Sequence, residues 1–279
     1  MQLDTGRLWY VPTLPAVELL TGRYQRQVFP WHAHAGYCLS LQEQGRETLA
    51  LPGVPPQHVE PGQVVVLNPG QVHTNYAHAP GQSWQLRSFY LAPAWLEAVA
   101  PAGYGLPAFP RPRLDDPALY TALHRVHQRL ERQGYSPAVT DELAHALREL
   151  VRRHGQPAAA PPPGGSWLGE LPPLMRQLSP ALGSVPTVAT LAAAAGLSRF
   201  QFTRAVTQAT GLPPQAYLTQ RRLAQARHLL RAGASLVEAA LATGFCDQSH
   251  FSHHFKRVVG VSPGQYRALA CTNVQDYGG

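Results

Sequence analysis

The chain has little of several features that mark common classes of protein. Its 279 residues include three cysteines, Cys38, Cys246 and Cys271, whose spacing matches no disulfide framework. No apolar run reaches the roughly 18 residues that a membrane-spanning helix needs. The first residues, MQLDTGRLWYVPTL, lack the basic start and apolar core of a signal peptide. We therefore expect a cytoplasmic protein with no membrane partner.

Catalytic motifs are also scarce. No phosphate-binding glycine loop, paired carboxylates or Ser-His-Asp arrangement can be identified from the sequence. Acidic residues are few, 16 against 23 lysines and arginines, which gives a formal net charge of +7. The excess is uneven, because residues 1–165 carry 13 arginines and 12 acids whereas residues 166–279 carry 10 cations and 4 acids. A basic C-terminal part is typical of a surface that binds nucleic-acid phosphates.

The most informative stretch of the chain, residues 233–267, predicts a helix, a tight turn and a second helix. Ser235 and Glu238 have the spacing of a capping box for the first helix, which Gly244 ends. Asp247 is placed to cap the second helix, whose apolar residues recur at helical spacing. The outward face of this second helix is polar and comprises Gln248, Ser249, His250, Ser252, His253, Lys256 and Arg257. Such a face can hydrogen-bond to base edges and place cations against phosphates.

The same design occurs earlier in the chain. A short alanine-rich helix is predicted over Thr187–Ala195, followed by a Gly196-Leu197 turn. Ser198 and Gln201 have the spacing of a second capping box, which opens a helix that stops at Gly211. The outward residues of that helix are Arg199, Phe200, Thr203 and Arg204. The segment between the units predicts a connecting helix with a buried stripe, so the whole has the layout of a DNA-binding domain.

With these motifs the chain resembles the AraC/XylS family of transcription regulators. The resemblance covers Val188 to Arg267 closely, and GFCDQSHFSHHFKRVVGVSPGQYR matches the family pattern almost residue for residue. It implies two recognition helices that enter successive major-groove segments about 34 Å apart on one face of the duplex. By position, the base-facing residues would be Phe200, Thr203 and Arg204 in the first unit, and Gln248, Ser249, His250, Ser252 and His253 in the second. His253 departs from the family, because many members carry Arg there, and a neutral imidazole makes a weaker, pH-sensitive contact.

The N-terminal part has the pattern of a β-protein. Between Gly22 and Leu91, four segments alternate with period two: GYCLSLQ, ETLAL, VVVLN and QLRSFYL. Turns that contain glycine, most of them Pro-Gly, separate them. Many short strands at this spacing are typical of a small sandwich or jelly-roll barrel. We therefore predict two domains: an N-terminal all-β, cupin-like jelly-roll barrel with appended helices, and a C-terminal all-α domain with two helix-turn-helix units.

Two segments of this part, FPWHAHAGYC and VEPGQVVVLNPGQVHTNY, carry histidines. Their His-x-His and Pro-Gly-x-x-His patterns make the region from Tyr24 to Leu91 similar to cupins and to the sensor domain of AraC-type regulators. On an extended Trp31–Leu41 segment, His32, His34 and Cys38 would share one face. The second motif supplies His73.

Three roles fit these histidines. His32, His34, Cys38 and His73 would suit Zn²⁺ or another borderline metal, although metal-binding cupins usually carry a Glu near the place of Cys38. Related regulators commonly keep such histidines in an effector pocket without a metal, and hydrogen-bonded structural histidines are a third reading. The candidate effector-binding residues are His32, His34, Tyr37, His73 and Tyr90.

Helices are predicted after the barrel. Pro93–Ala100 is short, Asp116-Pro117 opens a longer helix, and Pro137–Arg153 follows with a second apolar stripe. The family resemblance implies that this region dimerises, so we expect a homodimer. Packing of both stripes on the chain's own barrel is the alternative.

The segment GQPAAAPPPGGS cannot build a core and predicts a linker. LGELPPLMRQLSPALG, which follows, would supply the first helix of the DNA-binding domain. The predicted organisation is therefore a cupin-like effector-binding domain at residues 1–110, a helical dimerisation region at 111–154, a linker at 155–166 and an AraC-type DNA-binding domain at 167–279.

Together these features predict a ligand-responsive, sequence-specific DNA-binding transcription regulator. Its partners would be double-stranded DNA, a small-molecule effector, a second copy of the chain and RNA polymerase. The rival hypothesis is a metal-dependent cupin sensor or enzyme fused to a DNA-binding domain. The absence of a Glu at the ligand position and the complete DNA-binding domain argue against an enzyme. We expect no catalytic activity, and the one cofactor considered is a divalent metal such as zinc in the barrel.

Overall fold

The computed structural model describes residues 4–11, 14, 16–158 and 187–268. They fall into two compact units, one built from most of the described residues up to 158 and the other containing residues 187–268. No helix in these ranges is long and apolar enough to cross a membrane.

The N-terminal unit is built from short strands. These are β1 Thr5–Tyr10, β2 Val17–Tyr24, β3 Val28–His32, β4 Tyr37–Gln44, β5 Glu47–Leu51, β6 Val54–Val59, β7 Val64–Leu67, β8 His73–Ala77, β9 Trp84–Leu91, β10 Pro107–Ala108, β11 Arg113–Leu114 and β12 Gln156–Pro157. A six-stranded sheet has the order β1-β2-β9-β4-β7-β11, and a four-stranded sheet has the order β3-β8-β5-β6. Neighbours in the larger sheet are antiparallel. The predicted cupin-like jelly roll is confirmed.

The two faces of the larger sheet have different partners. Cys38 on β4 packs with Leu49 and Val59 from the smaller sheet, so this face is the barrel interior. Side chains alternate along a strand, so Phe89 on β9 points to the face opposite Cys38. Phe89 contacts His127 of a helix edge-on, and this second face of the sheet is therefore covered by helices. The sheet is thus covered by apolar groups on both sides, which explains why all four residues of β7 are buried.

Three helices belong to this unit: α1 Pro93–Val99, α2 Pro117–Gln133 and α3 Pro137–His154. Asp116 and Ser136 cap α2 and α3 by accepting hydrogen bonds from the third residue of each helix. Both predicted helices are confirmed. Their apolar stripes are buried within the single chain, for example at Leu123 and Leu147, both 0% exposed. The stripes therefore pack on the chain's own barrel and on each other.

The C-terminal unit is helical, as predicted. Its helices are α4 Val188–Ala194, α5 Arg199–Thr210, α6 Pro214–Arg231, α7 Leu236–Ala242 and α8 Gln248–Val259, and residues 263–268 are also helical. Leu191 and Phe202 form a core with Leu218 of the connecting helix α6. The buried face of α7 consists of Ala239 and Ala240, whereas Leu241 is 58% exposed.

The predicted domain boundaries remain predictions. Most of the 155–166 linker, and the helix expected in LGELPPLMRQLSPALG, lie outside the described residues. Within the described part, Gln156–Pro157 pairs with Pro107–Ala108, so the chain keeps a strand after α3 ends.

Candidate functional site

The first helix-turn-helix unit ends in the capped helix α5. Ser198 Oγ accepts from the Gln201 amide at 3.2 Å, and Gln201 Oε1 accepts from the Ser198 amide at 3.0 Å, which confirms the predicted capping box. Phe202 and Val206 face the core at 1% exposure each. These contacts fix which side of α5 faces solvent.

The outward side of α5 carries the four predicted residues. Arg199, Phe200, Thr203 and Arg204 are all exposed. Phe200 stands out, because 77% of a large apolar side chain is in contact with solvent. Burying such a side chain against apolar surface is favourable, so it suits contact with a partner. In a DNA groove, the 5-methyl group of thymine is the apolar group available to it.

The second unit has the same construction. Asp247 Oδ1 accepts from the His250 amide at 2.7 Å, which confirms the predicted cap of α8. Phe251 and Phe255 are fully buried on its inner side. The predicted outer residues Gln248, Ser249, His250, His253, Lys256 and Arg257 are exposed, and Ser252 is half-buried. Both helices thus present a polar or cationic face that begins at a capped N-terminus.

A group of imidazoles lies on α8. The His250 and His254 rings are 4.7 Å apart, and the His253 and His254 rings are 5.9 Å apart. Burial lowers the pKa of His254, and charges on His250, His253 and Arg257 lower it further. Sequence reasoning did not single out His254, because its role depends on which neighbours fold against it.

In the barrel, the structure brings three predicted histidines together. The ligand nitrogens of His32, His34 and His73 all lie within 4.8 Å of one another, with His32 and His73 buried and His34 half-buried. The His34 ring lies 5.1 Å from that of His73 and 4.9 Å from that of Tyr90. Tyr90 therefore belongs to the same site.

Hydrogen bonds orient two of these rings. His32 Nδ1 lies 2.7 Å from the Pro30 carbonyl, and His73 Nδ1 lies 3.0 Å from the Gln71 carbonyl. A carbonyl oxygen only accepts, so Nδ1 is the donor in each ring and Nε2 is the nitrogen with a lone pair. Backbone carbonyls hold metal-binding histidines in this way. The three histidines therefore have the donor chemistry of a divalent-metal site or of a site that hydrogen-bonds a ligand.

Two predicted members of the barrel site lie elsewhere. Cys38 does not join the three histidines, because the chain is not extended between His32 and Tyr37 and the expected alternation is lost. Its thiol is buried among aliphatic side chains, and burial raises its pKa, which disfavours the thiolate that binds metals. Tyr37 is on the opposite face of β4, where its hydroxyl donates to the Pro107 carbonyl at 2.5 Å.

A polar network between the larger sheet and α2 was not foreseen. Arg87 donates to Glu43 at 2.7 Å and to Glu131 at 2.5 Å, and its Nη1 lies 3.2 Å from His127 Nδ1. His124 Nε2 contacts the same Glu43 carboxylate at 2.8 Å. The two residues of each contact are 40 or more positions apart, so no local sequence pattern could have revealed them.

Comparisons with known proteins agree with this description. Residues 14–153 match the model of the AraC-like ligand binding domain, and residues 191–269 match that of a helix-turn-helix domain. The HTH-type transcriptional regulator YbfI of Bacillus subtilis is 28% identical over 256 residues, 90% of each chain. The HTH-type transcriptional activator RhaS of Escherichia fergusonii is 48% identical over 65 residues, 23% of each chain.

Solved structures show the same fold. ToxT from Vibrio cholerae O395 superimposes with a TM-score of 0.55 at 10% identity, covering 96% of this chain and 98% of its own. At that identity the likeness concerns the fold alone. ToxT has also been crystallised with an unsaturated fatty acid and with a naphthalenyl butenoic acid.

Proposed function

The chain belongs to the family of AraC-type transcription regulators, and on that premise we propose that an effector in its barrel controls how α5 and α8 bind an operator. The main support for operator binding is the pair of capped helices α5 and α8, each with a buried apolar side and an exposed polar side. Helices of this kind enter successive major-groove segments. The net charge of +6 over residues 166–279, from 10 cations and 4 acids, would attract the phosphates.

In the first unit, Arg204 and Phe200 would determine the preferred bases. An arginine makes paired hydrogen bonds with guanine O6 and N7, and a phenylalanine contacts a thymine methyl group. The two residues are four positions apart and so lie on one side of α5. We assign Thr203 to a neighbouring base and Arg199 to the backbone phosphates.

In the second unit, Gln248, Ser249, His250, Ser252 and His253 would face bases, and Lys256 and Arg257 would contact phosphates. Glutamine pairs well with adenine, whereas serine accepts several bases. Lys256 and Arg257 lie about two and a half turns beyond the Asp247 cap, where the helix would leave the groove floor. The second helix would therefore contribute base preference mainly through Gln248.

The test begins by selecting an operator from random duplexes with the full chain. Arg204→Ala and Gln248→Ala are each expected to weaken binding to this operator by about 1–3 kcal/mol, roughly 5- to 150-fold, while binding to random DNA changes much less. Arg132→Ala and Gln215→Ala, which alter exposed residues on α2 and α6, are matched controls. Unchanged operator affinity in both test variants would refute the contact assignment.

The effector would bind at the histidine end of the barrel, near His32, His34, His73 and Tyr90. The ToxT complexes support this placement of a ligand only in that the same fold accepts small organic acids in that protein. An effector changes DNA binding only if it prefers one arrangement of the protein to another. We therefore expect the effector to alter operator affinity measured with the full chain.

A divalent metal at the three histidines is the second candidate for this site. Its support is the convergence of three imidazoles, two of which donate Nδ1–H to carbonyls. Protein purified without a polyhistidine tag is expected to hold about one zinc or similar ion per chain by plasma mass spectrometry if this candidate is right. A His32→Ala/His73→Ala double variant should lose that metal, and metal-free wild-type protein would leave the site to the effector alone.

We infer that the chain is not an enzyme, because the family to which it belongs consists of transcription regulators. A metal cupin enzyme would need open coordination positions and a substrate in addition to the three histidines. The regulator would act in the cytoplasm, where its DNA is, as a homodimer that contacts RNA polymerase from its operator.

A further inference from the structure

Three buried aromatic residues lie at the other end of the larger sheet from the histidines. Tyr24 pairs with Trp84 in the register of β2 and β9, whereas Tyr90 lies six residues further along β9, roughly 20 Å away. The Tyr24 and Trp84 ring centroids are 5.2 Å apart. Phe29 of β3 meets them edge-on at 5.2 and 6.2 Å. These three residues form what we call the aromatic cluster.

Two hydrogen-bonding groups in the aromatic cluster have no partner among the described residues. The Tyr24 side chain is 1% exposed and the Trp84 side chain 0% exposed, and neither the phenol oxygen nor the indole N–H makes a hydrogen bond there. Buried polar groups are almost always paired, because an unpaired one loses its water without compensation. A tryptophan N–H can only donate, so the missing partner must be an acceptor.

The absence of a side chain at Gly22 leaves room for the Tyr24 ring and its hydroxyl. A β-carbon at residue 22 would lie 2.3 Å from Tyr24 Cε2 and 2.6 Å from the hydroxyl oxygen. The ring therefore lies along the sheet above Gly22 instead of projecting past the end of β2. Any side chain at position 22 would displace the ring, and the hydroxyl would leave the interior.

The charges nearby disfavour an anion as the partner. Burial raises the pKa of the Tyr24 phenol, and the Asp4 carboxylate raises it further, so Asp4 acts on the site from outside the cluster. A carboxylate ligand beside the Tyr24 hydroxyl would be repelled by the Asp4 carboxylate, whereas a neutral oxygen would not.

We propose that the aromatic cluster holds the neutral aryl carbonyl group of an effector, whose oxygen accepts hydrogen bonds from the Tyr24 hydroxyl and the Trp84 indole. The three rings would pack against the aryl body, as offset or edge-on aromatic pairs do. The proposal rests on the proposed function, since it names the chemical class of an effector and places it in the same barrel, at a site separate from the histidines.

The first experiment needs no ligand. Thermal unfolding of the full chain is compared for wild type, Tyr24→Phe and the matched control Tyr76→Phe, which alters a half-exposed tyrosine on β8. Removing an unpaired hydroxyl is expected to leave the Tm of Tyr24→Phe equal to or above that of wild type. A Tm lower by more than about 2 °C would mean that the hydroxyl is already paired, and the proposal would be wrong.

The second experiment uses three small probes on the full chain: acetophenone, ethylbenzene, which lacks the oxygen, and benzoate, which is an anion. Acetophenone is expected to raise the Tm more than either of the others. Tyr24→Phe and Trp84→Phe should each weaken its binding about fivefold by titration calorimetry, and Tyr76→Phe should not. No thermal shift up to about 10 mM acetophenone, or equal affinity for all four proteins, overturns the proposal.

Binding of acetophenone and binding of the operator separate the aryl-carbonyl site from the regulator function. If the full chain binds its selected operator but acetophenone does not stabilise it, the aryl-carbonyl site is wrong and the regulator stands. If the wild-type chain shows no preference for any DNA sequence, the proposed function fails whatever acetophenone does.

Discussion

Burial in the N-terminal unit changes the pKa of individual acidic and basic residues. Glu47 illustrates this, since its carboxyl is 2% exposed and its one hydrogen bond among the described contacts is from Asn75 at 3.4 Å. Burial raises the pKa of Glu47 to about 7, and the Asn75 hydrogen bond only partly opposes the shift. The sequence gives no sign of this, because ETLAL is a plain strand pattern and burial depends on the sheet that covers it.

We predict that Glu47→Gln stabilises the protein at high pH. The pKa of Glu47 is higher in the folded chain than in the unfolded chain. The contribution of Glu47 to the free energy of unfolding is therefore fully present below pH 4.5 and is lost as the pH rises through about 7. The loss for wild type approaches 3 kcal/mol by pH 8, as an upper estimate from the shift. Urea unfolding followed by tryptophan fluorescence suits this test, because four of the five tryptophans, Trp9, Trp31, Trp84 and Trp95, are in the N-terminal part.

The control for this prediction is Glu97→Gln, which changes an exposed carboxyl on α1. It should leave the pH profile of the unfolding free energy unaltered. Equal stability of wild type and Glu47→Gln at pH 8 would contradict the account of a buried carboxyl whose ionisation is costly.

At the scale of secondary-structure elements, the polar network joins α2 to the larger sheet by hydrogen bonds and ion pairs. Arg87 lies between Glu43 of β4 and Glu131 of α2, and His127 is fully buried against Trp9 and Phe89. Burial and the Arg87 charge lower the pKa of His127 to about 3. Burial alone would raise the pKa of Glu43, but hydrogen bonds from Arg87 and His124 outweigh it and lower that pKa.

The network predicts a loss of stability in acid. Because the folded-state pKa of His127 is below 6.5, the unfolded chain takes up a proton that the folded chain excludes, and stability falls as the pH drops from 6.5 toward 3. At pH 5 the loss is about 2 kcal/mol. His127→Gln keeps an acceptor for Arg87 and should remove this slope in the same urea experiment.

Glu47 and His127 change the free energy of unfolding in opposite directions between pH 7 and pH 5. From pH 7 to 5 wild type loses stability through His127 and gains it through Glu47, so its profile should be nearly flat. Glu47→Gln should then weaken on acidification, and His127→Gln should strengthen. Parallel profiles for the two variants would show that these residues do not control the acid response.

Elements differed in how well they could be predicted. The capped helices were found because Ser198, Ser235 and Asp247 mark their starts locally. The strand β6, VPPQHV, was missed because its two prolines suggest a turn, yet an edge strand tolerates proline where it needs no ladder hydrogen bond. The sites were predicted least well where they depend on distant pairing, as with Arg87 and Glu131, which are 44 residues apart.

At the scale of the whole molecule, the structure changes what a homodimer can use. The apolar stripes of α2 and α3 are buried in one chain, so they are not available to a second copy. The outward faces of these helices are polar, with residues such as Arg148 exposed. We therefore predict a weak, polar dimer with a Kd in about the micromolar range, stabilised when two copies bind one operator.

Sedimentation velocity from about 1 to 100 μM should detect this dimer as a concentration-dependent rise in sedimentation coefficient, and added salt should reduce it because its contacts are polar. Arg148→Glu on α3 is expected to shift the association to higher concentration. Arg111→Glu, an equal charge reversal in an exposed loop outside the helices, should not. A chain that stays monomeric over the whole range, with and without operator DNA, would show that the two recognition helices of one copy suffice for binding.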